Sequence, residues 1–355
     1  MSVILFNDNL ISPGAQRGIA RYLKHIVDGA VADLGPRAIV CSSQSRDYGE
    51  VRHLYSPRFR GSWRIGLQDK FTTVVAAIAR PSVIYNAYYG RVETRTRQVF
   101  TVYDMMHELF APATHPFIAQ KRRCLQRASA LLAISRHTAQ DIQRIYPDID
   151  TAKITITPLG VDRLFFERPY QPRAPVNKPY FLYVGHRTPY KNFSRLLIAF
   201  GQSKLSAHFD LRVISPGGAS FTPVEVESIH QHGLQGSVQL LQAPSDISLR
   251  DAYAAAWAFV YPSTYEGFGL PILEAMASGT LVATANISSM PEVGGDIAFY
   301  FDPLFPESIA ATLRQVANYT LEQRAQRIAM GIEHARTYTW ERCQQQTLNV
   351  LRSVM

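Results

Sequence analysis

Tyr261-Pro262-Ser263-Thr264-Tyr265-Glu266-Gly267-Phe268-Gly269-Leu270-Pro271-Ile272-Leu273-Glu274-Ala275-Met276 is the stretch on which the reading of this chain turns. An apolar run, Ala254 to Val260, leads into it and reads as a buried strand. Gly267 and Gly269 free the backbone for close approach to a ligand. Pro271 suits the first turn of a helix, where its missing N–H costs nothing. Glu274 is therefore expected in the first helical turn and Glu266 in the loop before it. A strand, a glycine loop and a helix N-terminus together make an anion-binding corner. Carboxylates beside such a corner suit a ligand with hydroxyls as well as phosphates, because a carboxylate accepts hydrogen bonds from a vicinal diol. The plainer alternative is that Glu266 caps a loop and that Glu274 favours a helix N-terminus through the helix dipole.

The flanking sequence separates these readings. The segment closely resembles the Glu-x7-Glu signature of the retaining family 4 glycosyltransferases, which have the two-domain GT-B fold. The continuation is similar too: Ala277-Ser278-Gly279-Thr280-Leu281-Val282-Ala283, then Ser288-Ser289-Met290-Pro291-Glu292-Val293 and Gly295-Asp296. The resemblance implies that Glu266 contacts a donor sugar and that Glu274 holds a nucleotide ribose. It makes Gly267, Phe268, Gly269 and Leu270 the donor-binding loop between them.

Upstream, Gly185-His186-Arg187-Thr188-Pro189-Tyr190-Lys191-Asn192-Phe193 follows the strand-like Tyr180 to Val184. Arg187 offers a planar fork and Lys191 a point charge at the start of the next helix. At the first βα turn of a second α/β series, they match the family's diphosphate-binding pair. Gln16-Arg17-Gly18-Ile19-Ala20-Arg21-Tyr22 resembles the family's glycine-rich turn, with Arg17 where a second glycine is common. Gly18 would bring a backbone N–H towards the diphosphate, and an ordinary turn glycine is the alternative. Thr101-Val102-Tyr103-Asp104-Met105-Met106-His107-Glu108 ends a strand of the first half. Many relatives have His-Asp where this chain has Tyr103-Asp104, so Tyr103 and His107 are the candidates for the place beside the reacting sugar, and an ordinary surface histidine is the alternative for His107. Asp148-Ile149-Asp150 has the form of a metal-binding Asp-x-Asp, but it follows Pro147 and reads as a solvated turn. The sequence has no Walker loop, no dinucleotide fingerprint and no zinc spacing.

Organisation along the chain agrees. Val3 to Phe6, Ala38 to Cys41, Ser82 to Tyr85, Val99 to Tyr103, Ala130 to Ile134 and Ile154 to Ile156 are short apolar runs. They alternate with helical patterns at Ile19 to Ala30 and after Ser135, a good N-cap. A loop with Pro13, Gly14 and Gly18 follows the first run. Such alternation argues for mostly parallel α/β sheets. Pro169, Pro172, Pro175 and Pro179 mark a linker. The second series adds a helix from about Asn192 and strands at Leu211 to Ile214 and Val238 to Leu240, with Pro216-Gly217-Gly218 a candidate nucleotide-side loop. Beyond Pro306 the chain is mainly helical. The organisation expected is an N-terminal acceptor-binding Rossmann-like domain over 1–166, a linker over 167–179, and a nucleotide-sugar-binding Rossmann-like domain over 180–338. By resemblance, the two domains face each other across a cleft, and a last helix over 339–355 crosses back to the first.

The bulk numbers bound the rest. The chain has 355 residues, 46% of them hydrophobic, and a formal charge of +9. Residues 1–165 carry 22 Lys+Arg against 13 Asp+Glu, and the remainder 15 of each, so the whole excess lies in the first half. Arginines gather at Arg52, Arg58, Arg60 and Arg64, at Arg91, Arg95 and Arg97, and with Lys121 at Arg122, Arg123 and Arg127. A basic face suits an anionic membrane, nucleic acid or phosphorylated substrates, or only a solubilising surface. No apolar run approaches the roughly 20 residues of a membrane helix, and Met1 to Asp8 lacks the form of a signal peptide. Three scattered cysteines, Cys41, Cys124 and Cys343, suggest a reducing compartment, hence the cytoplasm.

The resemblance implies transfer of a hexose from a nucleotide diphosphate sugar to a glycan or lipid-linked acceptor with retained configuration. It implies no metal or other cofactor and no nucleic-acid partner. A GDP-sugar donor carrying mannose, bacterial surface polysaccharide synthesis, and peripheral contact of the basic half with the inner face of an anionic membrane are the finer expectations. The alternatives are another nucleotide-sugar enzyme on the same fold, such as an epimerase, and a non-enzymatic anion-binding protein.

Overall fold

The computed structural model describes residues 2–9, 17–43, 48, 51–57, 64–167, 178–216, 220–242 and 245–355, without the side chains of Arg17, Arg64 and Ile65. Pro13, Gly14, Gln16, Arg58, Arg60, Pro169, Pro172, Pro175, Gly217 and Gly218 lie outside the described residues. The chain divides into two compact units, residues 1–160 with 340–355, and residues 161–339.

The first unit alternates strands and helices. Its elements are β1 (Ile4–Asn7), α1 (Arg17–Leu34), β2 (Ala38–Ser42), β3 (Arg52–Tyr55), α2 (Arg64–Ala79), β4 (Val83–Asn86), β5 (Arg97–Val102), α3 (Met106–Phe110), α4 (Pro116–Arg127), β6 (Ala130–Ala133), α5 (Arg136–Ile145) and β7 (Ile154–Ile156). The seven strands form one parallel sheet in the order β3-β2-β1-β4-β5-β6-β7. β1, β2, β4 and β6 are buried at every residue, as strands covered on both faces must be. Ser135 caps α5 by accepting from the Thr138 N–H.

The second unit repeats the scheme with β8 (Tyr180–Val184), α6 (Phe193–Ser203), β9 (Asp210–Ile214), α7 (Pro223–Gln231), β10 (Val238–Leu240), α8 (Asp246–Ala255), β11 (Ala258–Tyr261), α9 (Leu270–Ala277), β12 (Leu281–Ala285), α10 (Met290–Gly294), β13 (Phe299–Phe301), α11 (Pro306–Ala317) and α12 (Leu321–Arg336). Its parallel sheet runs β10-β9-β8-β11-β12-β13.

The last helix, α13 (Trp340–Ser353), belongs to the first unit. Trp340 stacks on His25 at 4.2 Å between ring centroids, and Gln344 donates to the His25 carbonyl at 2.7 Å. A Cβ at Gly29 would come within 2.8 Å of the Gln344 side chain, so glycine is what lets α1 and α13 approach this closely. Arg352 pairs with Asp33.

Four expectations need correction. The run Ala254 to Val260 is not one strand: α8 extends to Ala255, and β11 starts at Ala258. β5 ends at Val102, so Tyr103 lies just beyond it. Glu274 falls in the second turn of α9, because the helix starts at Leu270. Lys121 is no part of a basic surface: its side chain is 1% exposed and ion-paired with Glu108 at 3.0 Å. β3 and the helices α2 and α4 were not evident from sequence. β3 is an edge strand with no fully buried residue, so it lacks the apolar run that marks a central strand.

Candidate active site

In both sheets the strand order reverses direction beside the first strand, and in open α/β sheets ligands sit beyond the carboxyl ends of the strands at such a reversal. In the second unit the reversal falls between β8 and β11, which pair directly. The loops that leave these two strands are Gly185 to Asn192 and Pro262 to Gly269. Both motif loops therefore emerge side by side at the position the topology favours.

Local contacts weld them together. The Thr264 N–H donates to the Tyr190 carbonyl at 2.7 Å. Asn192 takes a left-handed conformation, φ 61°, before α6. Its buried side-chain amide donates to the carbonyls of Pro262 at 3.0 Å and Pro303 at 2.7 Å. On the far side of the loop, Ser288 and Ser289 both donate to the Glu266 carbonyl, at 2.6 and 2.8 Å, and Ser289 also reaches the Phe268 carbonyl at 2.7 Å. The Glu266 N–H returns a bond to the Ser288 hydroxyl at 3.1 Å. Glu266 is thus clamped through its backbone, which leaves its carboxylate for other work.

That carboxylate meets Lys191. Nζ lies 2.6 Å from Glu266 Oε1, with side chains 14% and 13% exposed. Nζ also donates to the Tyr261 hydroxyl at 3.3 Å and lies 5.4 Å from the Tyr261 ring centroid. Burial, and then the Glu266 charge, hold the Tyr261 and Tyr183 hydroxyls well above the ordinary tyrosine range, so both remain protonated donors.

Arg187 is placed differently. Its Nε pairs with Glu225 Oε1 at 2.8 Å, and Nη2 donates to the Ser220 carbonyl at 2.6 Å. Glu225 in turn closes a capping box with Thr222 at the start of α7. Arg187 therefore ties the β8 loop to α7, with only its Nη1 buried and unpartnered among the described residues. Glu274 is 6% exposed, with the Tyr253 hydroxyl 3.4 Å from Oε2. Gly269 adopts φ +108° at the N-cap of α9, a conformation that requires glycine. Phe268 is buried, its ring 5.9 Å from that of Tyr338, and Leu270 opens the helix.

In the first unit, Gly18 is the second residue of α1, where backbone N–H groups lack helical partners. Tyr103 follows β5 with its ring edge-on to Tyr22 at 5.7 Å. Its hydroxyl is buried with no hydrogen-bond partner among the described residues, and burial raises its pKa well above the ordinary value. His107 lies on α3, 4.5 Å from the Phe117 ring centroid. Partial burial lowers its pKa, so it is neutral at pH 7. The loop that carries both is anchored by Lys121, which donates to the Asp104 carbonyl at 2.6 Å as well as to Glu108. Asp148 bonds Arg122 and Gln126, while Asp150 accepts from the Ala152 N–H, so this pair is spent on local structure. Among the described residues no group of three or more His, Cys, Asp or Glu is arranged to hold a metal ion. No described helix is long and apolar enough to cross a membrane. All three cysteines are buried thiols.

Asn192, Ser288, Ser289 and Tyr261 were not singled out as site residues. In sequence Ser288 and Ser289 are only the continuation of the motif, and the fold shows what they hold.

Two parallel α/β sheets with paired motif loops at a reversal of strand order define a doubly wound α/β class of protein. Comparison with known proteins narrows this. The family described as Glycosyl transferases group 1 matches residues 166–333, and the one described as Glycosyltransferase Family 4 matches residues 16–163. The chain belongs to the group 1, family 4 glycosyltransferases. It is similar to the O-antigen chain mannosyltransferase B of Escherichia coli, 31% identical over 239 residues, which cover 64% of this chain and 61% of that one. It is also similar to an alpha-maltose-1-phosphate synthase of Mycolicibacterium smegmatis, 25% identical over 265 residues, or 66% and 65% of the two chains. The match thus spans under two thirds of the length of these relatives. Among solved structures, Anabaena Alr3699/HepE in complex with UDP and glucose superposes with a TM-score of 0.80 over 99% of this chain and all of that one, at 17% identity. At that identity the likeness establishes the fold, which is GT-B.

Proposed function

We propose that this protein transfers a hexosyl group from a nucleotide diphosphate sugar to a hydroxyl of a glycan or lipid-linked acceptor, with retained configuration. The observation that carries the reading is the Lys191–Glu266 pair, held where two motif loops leave neighbouring strands. The printed names of the similar proteins support it: one is a mannosyltransferase of O-antigen chains, and another was solved with UDP and glucose. Mannose from a GDP-sugar, used in surface polysaccharide synthesis, is the preferred finer reading.

In the mechanism proposed, Glu266 holds Lys191 in place until donor binds. The diphosphate then takes the ammonium, and the Glu266 carboxylate turns to the sugar hydroxyls. As the glycosidic bond lengthens, charge grows on the departing phosphate, and Lys191 stabilises it without a divalent metal. The departing phosphate accepts the acceptor proton on the face it leaves, so retention needs no enzyme nucleophile. Glu274 takes the ribose diol. Arg187 serves chiefly as a strut, with Nη1 the nitrogen left to offer a phosphate. In the first unit the unpartnered Tyr103 hydroxyl is the stronger candidate to bond the donor sugar, and His107 the weaker. The basic excess of the first half supports peripheral contact with an anionic membrane at its cytoplasmic face.

The test is product analysis with GDP-mannose and UDP-glucose as donors, with and without an acceptor glycan. A new glycoside with the donor's anomeric configuration, formed also in the presence of a chelator, is expected. An inverted product would remove retention. Isomerised donor without acceptor would make the protein an epimerase. No consumption and no nucleotide binding would leave an anion-binding protein.

A further inference from the structure

The basic residues of the first unit do not form one uniform surface. Two of the clusters seen in sequence converge on a cavity of about 310 Å³. Arg91 reaches it from the segment between β4 and β5, and Arg123 and Arg127 from the last turns of α4. Val92, Phe100 and Cys124, all buried, are its apolar lining. Gln98, also lining it, is spent: it accepts from Asn86 and donates to the Val92 carbonyl.

Charge accounting favours an anionic occupant. Three guanidiniums meet two carboxylates: Glu93, which pairs with Arg127 at 3.1 Å, and Asp69, set behind the lining, whose charge acts on Arg91 and Cys124. The Arg127–Glu93 pair is 67% and 65% exposed, so it is weak and readily exchanged. Arg91 interacts with the Asp69 carboxylate, which also accepts from the Arg91 backbone N–H, while Arg123 is in no ion pair seen among the described residues. The C-terminal end of α4 contributes only about half a negative charge. The balance remains positive by about half a charge, which favours an anionic occupant. The fork of each guanidinium also suits phosphate oxygens. Burial raises the Cys124 thiol to about 12, so the cavity floor is unreactive and the site is one for binding.

The cavity is separate from the candidate active site. Gln98 lies near the start of β5 and Tyr103 beyond its end, roughly 17 Å apart at about 3.3 Å per residue.

We propose that this cavity binds a phosphomonoester whose body is no larger than a small polyol. Its volume lies at the low end of the roughly 300–1,000 Å³ of small-molecule sites. A phosphate on a soluble metabolite and a phosphate on a lipid headgroup share this chemistry.

The test titrates glycerol 3-phosphate into the intact protein and follows the backbone amide signals of Gly90 and Val92. Saturable shifts are expected, with the apparent Kd at least tenfold weaker in Arg91→Ala and in Arg123→Ala. Arg144→Ala, on α5 and paired with Asp141, should leave the Kd unchanged. Melting temperatures check that each variant folds. In parallel, flotation with phosphatidylcholine vesicles, with and without phosphatidic acid, separates the sources. Retention on phosphatidic acid that fails in the same two variants assigns a lipid headgroup, and binding of the free probe alone assigns a soluble phosphomonoester. Amide signals that do not move overturn the proposal. So does a Kd weakened equally by Arg144→Ala, or one that responds to Lys191→Ala and not to the cavity arginines.

Discussion

Each unit contains a Lys–Glu pair close to the end of a strand, and the two pairs differ in what surrounds them. Lys121 and Glu108 are 1% and 2% exposed, and the lysine also serves the Asp104 carbonyl while the glutamate accepts from the Tyr146 hydroxyl at 2.9 Å. Lys191 and Glu266 are an ångström-scale match in distance but are 14% and 13% exposed, at the mouth of two loops clamped by other residues. The first pair is sealed and acts as a strut for the Tyr103–Glu108 loop. The second reaches solvent, and a ligand can exchange with it. Both are lysine–glutamate contacts at short range. Only depth and surroundings separate them.

The largest effects should come from the sealed pairs. Lys121→Met leaves Glu108 buried and uncompensated and should cost about 3–5 kcal/mol of unfolding free energy. Arg187→Ala should cost a similar amount, because Glu225 is 8% exposed and loses its cation. Denaturant titration measures both. An Arg187→Ala protein of wild-type stability but sharply reduced turnover would return Arg187 to the phosphate and break the division between struts and exchangeable groups.

Next in size is the loss of turnover at the open pair. Lys191→Met should lower kcat by about 10²–10³, the scale of one preorganised charge partner of the transition state. Its stability should fall by less than that of Lys121→Met. Tyr103→Phe should lower turnover more than His107→Ala, since the Tyr103 hydroxyl is a buried donor without a hydrogen-bond partner among the described residues. The reverse order would move the sugar contact to α3.

The smallest effect concerns pH. The folded-state pKa of His107 lies below its ordinary value of about 6.5. The unfolded chain therefore takes up a proton first as pH falls, and the stability gained by keeping His107 neutral is present above about 6.5 and lost below it. The stability of wild type should therefore fall relative to that of His107→Gln as pH drops through that range, as acid unfolding curves would show. A rate profile with a His107-dependent step at or above pH 6.5 would contradict the burial seen here.

How much of this was legible in sequence follows the same division. The open site was readable because its punctuation is local: Gly269 must take a left-handed φ, Pro271 opens α9, and Lys191 stands one residue before the turn made by Asn192. The sealed pair was not, since Gln120-Lys121-Arg122-Arg123 reads as surface charge, and only the packing of α3, α4 and Tyr146 takes Lys121 inside. The Ser288–Ser289 clamp depends on β12 lying beside β11, which residue spacing does not encode. The slip over Ala254 to Val260 has a similar origin: a short apolar run serves equally as the end of a buried helix and the start of a buried strand.

The central claim is that Lys191 is exchangeable and Lys121 is not. Calorimetric titration of GDP, with UDP as a second probe, into wild type, Lys191→Met and Lys121→Met tests it most directly. Diphosphate affinity should fall at least about tenfold, or 1.4 kcal/mol, in Lys191→Met, and should stay within about twofold of wild type in Lys121→Met at a temperature where that variant is folded. Wild-type affinity for both nucleotides in Lys191→Met would contradict the account and make the Lys191–Glu266 pair a second strut.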